Sequence, residues 1–172
     1  LVWLLISCNR GKNVATSIGQ PYEVVLEGDT DSIVRNILTQ EVPALPQPEP
    51  MCNIIQVKQG KVLGSYRMVR TRIVVDIDPR YQDFSAKSTQ DEDASPQLVI
   101  RLKAKSVEQL RAMFYDKNGK LNNNAEQLRS VINQHELQHL VSSIKQNPEK
   151  QREVKRMFGL EMKIPASLDA SK

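Results

Sequence analysis

The chain has 172 residues, 40% of them hydrophobic and 26% charged, which is the size and composition of one medium globular domain with a core to bury. Aromatics make up only 5%, so that core must be mostly aliphatic. A net charge of +4 and a pI near 9.1 are mildly basic and fall short of a nucleic-acid-binding footprint, and no stretch is long enough to cross a bilayer as a helix.

The N-terminus reads "LVWLLISC". Leu1 to Ile6 are all apolar, like the end of a signal-peptide core, and Leu5-Ile6-Ser7-Cys8 then matches a lipobox. The chemistry needs a thiol at position 8 because a diacylglycerol is attached through sulfur, and the small Ser7 leaves the preceding bond open to a signal peptidase. The competing reading is a buried N-terminal strand ending in a chance cysteine. With neither an initiator Met nor a basic n-region, residues 1–7 are expected to be a signal-peptide remnant of a truncated start. Residues 8–20 are then the lipidated Cys8 and a polar, flexible tether, and residues 21–172 a single α/β domain. Several acyl chains on one cysteine would hold the chain firmly to a membrane, whereas one alone is marginal. Cys52, the other cysteine, reads as a small buried hydrophobe.

"YEVVLEG" (Tyr22–Gly28) alternates as a first strand. Asp29 to Ser32 offers N-caps for a helix running from Ile33 to about Gln40. Pro46, Pro48 and Pro50 then impose an extended, polyproline-like connector. Asn53–Lys58 is a strand, Gly60–Arg70 an ambiguous stretch with a basic side, and "RIVVDID" (Arg72–Asp78) a strand buried on both faces. Arg80–Pro96, with its Asp91-Glu92-Asp93 run, reads as a solvated loop or insertion, and Gln97–Ala104 as another strand. Ser106-x-x-Gln109 is a capping box that opens a helix with Val107, Leu110, Met113 and Phe114 on its buried side. "DKNGK" (Asp116–Lys120) ends it, and a long helix covers Asn124–Gln146. Asn147-Pro148 starts a last helix that stops at Gly159, and "LEMKIP" (Leu160–Pro165) alternates like a strand. The expected fold is α+β, an α/β sandwich: one mixed sheet of about four to five strands with helices packed on it, ending in a helical segment and a strand.

His135-Glu136-Leu137-Gln138-His139 spells the zinc-peptidase pattern H-E-x-x-H. On a helix His135 and His139 share a face and could hold zinc, with Glu136 polarising a bound water. The wheel places both histidines on the same side as Leu128, Val131 and Ile132, and leaves Leu137, Leu140, Val141 and Ile144 opposite. Catalytic zinc needs a third protein ligand, and there is no third histidine. Glu149, Glu153 and Glu161 are candidates, but the first two sit among lysines and arginines that pair with them at helical spacing. The favoured expectation is therefore no catalytic residue, metal or cofactor at this motif. The alternative is a zinc metallopeptidase using His135, His139 and Glu136. Asp76 and Asp78 could ligate a cation at a strand end but more simply start a turn. Lys58, Lys61, Arg67, Arg70 and Arg72 form a basic stretch suited to a solvated face, or to phosphates on lipid or glycan.

"GQPYEVVL" (Gly19–Leu26), "EVPALPQPEPM" (Glu41–Met51), "RIVVDIDP" (Arg72–Pro79) and "FGLEMKIPAS" (Phe158–Ser167) together resemble an uncharacterised Bacteroidetes lipoprotein family of the domain-of-unknown-function type (DUF4837-like). The resemblance covers everything after the tether and implies that this chain is the N-terminal half of a longer protein. It also implies a lipoprotein of the outer membrane facing the periplasm. Surface export in that phylum tends to need acidic residues after the lipidated cysteine, and Asn9-Arg10-Gly11-Lys12 is neutral to basic. The expectation is a lipid-anchored cell-envelope protein with a non-enzymatic binding or structural role. Its partners would be the membrane, through its anchor, and an envelope protein or glycan, with no nucleic acid.

Overall fold

The computed structural model describes residues 6–7, 14–42 and 46–168. In chain order the elements are β1 (Ile6–Ser7), β2 (Ala15–Thr16), β3 (Glu23–Glu27), α1 (Ile33–Leu38), β4 (Asn53–Val57), a 3-10 turn (Gly64–Met68), β5 (Thr71–Ile77), β6 (Ser85–Gln90), β7 (Ala94–Ser95), β8 (Leu98–Ala104), α2 (Val107–Phe114), α3 (Asn123–Ser143) and α4 (Pro148–Phe158). The main sheet runs β1-β6-β8-β5-β3-β4. Strands β4, β3, β5 and β8 are parallel, and β6 pairs antiparallel with β8, so the sheet is mixed. The protein is an α+β sandwich, as the alternation of strands and helices implies.

The chain divides into two compact units, residues 1–135 and 136–172. In the first, register decides which face is which. Leu26, Ile73, Ile100 and Ser88 lie side by side across four strands, with Val75 and Leu102 in the next row. This face is packed against Ile33, Val34, Ile37 and Leu38 of α1, Leu110 and Phe114 of α2, and Ala125, Leu128 and Ile132 of α3. Cys52 is buried in this aliphatic cluster. Because successive side chains alternate, the opposite face carries Val25-Arg72-Val99 in one row and Glu27-Val74-Arg101 in the next. A small second cluster of Val25, Val62 and Val69 covers part of it.

Local chemistry sets the helix ends. The cap of α1 is Asp29, whose carboxylate accepts from Ile33 N at 3.1 Å and Arg35 N at 2.8 Å. Ser32 stands at the N-cap position with φ 56° and makes no side-chain cap. Ser106 Oγ accepts from Gln109 N at 3.2 Å, as in a capping box, and Gln109 Oε1 accepts from Lys105 N, one residue before the N-cap, at 2.8 Å. Asn147 Oδ1 caps α4 by accepting from Lys150 N, Pro148 takes the first helical turn, and Gly159 closes it at φ 68°.

Four expectations are corrected. Arg80–Pro96 is not a loop: Ser85–Gln90 forms strand β6, paired with β8, and its polar composition suits a strand that meets the core through Ala86 and Ser88. Residues 14–20 are not a free tether. Ala15–Thr16 pairs with Ala94–Ser95 in a separate two-stranded sheet, and Ile18 bridges Val69. The proline connector returns on itself, with Val42 N donating to Glu49 O at 2.9 Å and Glu41 bridging Pro50. Leu160–Pro165 is not a strand. It makes only an isolated bridge from Pro165 to Gln146, since among the described residues no strand lies alongside it.

Candidate functional site

The HELQH motif lies in the second half of α3, where the two units meet in sequence. His135 closes the first unit, and Glu136 and His139 belong to the second. The buried positions of α3 are Ala125, Leu128, Ile132 and Glu136, at helical spacing, while His135 and His139 are half-buried. The wheel placed the histidines on the core side. The structure corrects this by one position, since Glu136 and not the histidine pair continues the buried stripe with no exposed surface. Leu137, Val141 and Ile144, on the opposite side of the wheel, are exposed. Among the described residues no group of three or more His, Cys, Asp or Glu side chains could hold a metal ion. The candidate third ligands are engaged elsewhere or lack convergence: Glu153 pairs with Lys150 at 3.3 Å, and Glu161 pairs with Lys155. The motif thus presents two of the three ligands that catalytic zinc requires.

The second constellation is the charged face of the sheet. Arg101 points from β8 onto Glu92 through two bonds of 2.5 and 2.6 Å, and Glu92 also accepts from the Thr89 hydroxyl. The hydrogen bonds from Arg101 hold the Glu92 carboxyl below its ordinary range, against the opposing effect of burial. Arg72, nearly buried, donates to Asp93 at 2.6 Å, and the more exposed Arg67 reaches the other oxygen of Asp93 at 3.0 Å. Gln97, fully buried, donates to the carbonyls of Arg67 and Val69 and accepts from Asp93 N at 3.0 Å. It thereby fixes the β7 loop against the 3-10 turn. Of the acidic run expected to be solvated, Glu92 and Asp93 are therefore counter-ions for arginines, and Asp91 accepts from Gln97 N at 2.9 Å. The basic stretch is corrected likewise. Arg70 and Arg72 are buried and Arg67 is paired, leaving Lys58 and Lys61 exposed.

At the carboxyl ends of the parallel strands, where open α/β sheets hold ligands, the carboxylates are also engaged. Asp76 accepts from Gln59 Nε2 at 2.8 Å and from the Tyr81 hydroxyl, a bond that raises the phenol above its ordinary range. Asp78 starts the turn. Its hydrogen bonds from the Arg80 side chain and backbone N–H hold it at about 2. Glu27 accepts from Gly60 N at 2.5 Å. These groups stabilise turns and strand packing, and the arrangement contains no nucleophile paired with a base. Arg101 interrupting "LVIRLKA" was the sequence mark of an ion pair on a packed sheet. Its partner Glu92 could not be read without the β6–β8 register.

Cys8, the expected lipidation site, and residues 1–5 of the expected signal remnant lie outside the described residues. Ile6–Ser7 pairs parallel with Ser88–Thr89.

These features do not define an enzyme class, and comparison with known proteins identifies a family. The family model described as Domain of unknown function (DUF8532) matches residues 17–145, and the chain belongs to that family. No curated protein and no solved structure matches the chain. The match takes in strands β3 to β8, α1, α2 and all of α3, begins after β1 and β2, and ends before α4.

Proposed function

We propose that this is a lipid-anchored protein of the bacterial cell envelope, acylated on Cys8, facing the periplasm at the outer membrane and acting by binding rather than by catalysis. The observation that carries the reading is Leu5-Ile6-Ser7-Cys8 directly after an apolar run. The resemblance of four stretches to Bacteroidetes lipoproteins of the DUF4837 type supports it. So does the chemistry of the domain, where the conspicuous carboxylates and arginines neutralise one another on the sheet. The binding partner would be another envelope protein or a glycan.

Blocking signal processing with a globomycin-type inhibitor is expected to accumulate a larger precursor. A Cys8→Ser variant is expected to leave the membrane fraction. Retention of that variant with the membranes in amounts equal to the parent would sink the anchoring claim.

A further inference from the structure

The second unit is built unlike the first. Of twelve large hydrophobic side chains exposed among the described residues, eight lie in residues 136–172, where Ile164 is the one buried hydrophobic residue. Four of the eight cluster at one turn. Met157 and Phe158 end α4, Gly159 reverses the chain in a left-handed conformation, and Leu160 and Met162 follow, each side chain 54–65% exposed. The flanks of this turn are cationic. Arg152, Arg156 and Lys163 are exposed and make no ion pair with any described residue, whereas Lys155 pairs with Glu161. Arg152, Lys155 and Lys163 also line a cleft of about 630 Å³ between α4 and the segment after it, with Met162 at its wall.

We propose that this turn is a membrane-contacting tip: Met157, Phe158, Leu160 and Met162 enter the acyl region of an anionic phospholipid surface, and Arg152, Arg156 and Lys163 meet its phosphates. Apolar side chains at a turn, rimmed by cations, match the layered chemistry of a headgroup region over hydrocarbon. Charge selects this occupant over a second copy of the chain. Residues 152–163 carry four basic and two acidic side chains, so two such faces would repel. Two features suited to a lipid surface occur together, an exposed apolar turn and a cleft large enough for a headgroup. The inference does not rest on acylation of Cys8, and it assigns membrane contact to a different end of the chain.

The test uses the full chain carrying Cys8→Ser, so that no lipid is attached, and measures sedimentation with vesicles. Binding to phosphatidylcholine vesicles containing about one-third phosphatidylglycerol is expected, with little to phosphatidylcholine alone. Phe158→Glu combined with Met162→Glu is expected to weaken binding at least about tenfold. Arg152→Gln with Arg156→Gln is expected to weaken it by about fivefold for each charge and to reduce its salt sensitivity. All these positions are exposed, and unchanged circular dichroism and thermal melting would verify that each variant is folded. Equal binding of parent and folded tip variant would overturn the proposal, as would indifference to phosphatidylglycerol. So would a concentration-dependent dimer of the parent that the tip substitution abolishes, which would make this face a protein interface.

Discussion

Gly28→Ala should be the most damaging single-methyl change in the sheet. Gly28 ends β3 at φ +80°, and a Cβ there would lie 2.2 Å from the carbonyl oxygen of Val75 in the middle of the adjacent strand β5. The left-handed conformation alone costs an L-residue about 1–2 kcal/mol. Carbon and carbonyl oxygen approach no closer than roughly 3.3 Å in ordinary contacts, so the strands must part by about 1 Å. Val75 is buried in the main core, and forcing such a shift into packed side chains costs about 1–3 kcal/mol more. The sum, about 2–5 kcal/mol, is a large share of the stability of a domain this size. Gly60→Ala is the internal control: φ is +70°, yet no atom lies within 4 Å of the added carbon, so only the conformational cost of about 1–2 kcal/mol applies. Urea titrations of both variants, followed by far-UV circular dichroism, should therefore place Gly28→Ala well below Gly60→Ala. Equal midpoints would refute the close approach of Gly28 to β5.

Other expectations follow from the polar groups. Asp29→Ala removes the acceptor for two backbone N–H groups of α1 and should lower stability by about 2 kcal/mol in the same titration, whereas Ser32→Ala should change little. The depressed Glu92 carboxyl stabilises the fold above its ordinary value of 4.5, and that contribution is lost as pH falls through the lower folded value. Glu92→Gln should therefore destabilise at pH 7 and converge on the parent in acid. A constant difference across that range would show that charge is not its role. Because HELQH has two ligands, purified chain dialysed against trace zinc should retain far less than one ion per chain, with no change in His139→Ala. Near-stoichiometric zinc that the variant loses would reinstate the metallopeptidase reading.

Elements whose physics is local were legible from residues alone. The capping box at Ser106, the Asn147-Pro148 start and Gly159 stop of α4, and the apolar runs of β3, β5 and β8 all carry their own determinants within a few residues. What was misread depends on partners distant in sequence. "SAKSTQ" becomes a strand because β8 offers it an unpaired edge, and "LEMKIP" does not become one because among the described residues it finds a single isolated bridge, Pro165 to Gln146. Glu92 and Asp93 read as solvated from the residues alone, and the sheet register sets Arg101 and Arg72 against them. At the candidate site, the wheel found the correct side of α3 but missed its centre. Ala125, Leu128 and Ile132 centre the buried stripe to one side of the histidines, an assignment that needs packing and not periodicity alone.

The proposed function rests on Cys8 as the acylated N-terminus of the mature protein. Intact-mass and N-terminal peptide analysis of the protein purified from the membranes of the cells that make it tests this most directly. The expected result is a mature chain beginning at Cys8, with diacylglycerol on its sulfur and nothing of residues 1–7 retained. A chain that keeps residues 1–7 and carries an unmodified Cys8 thiol would contradict it.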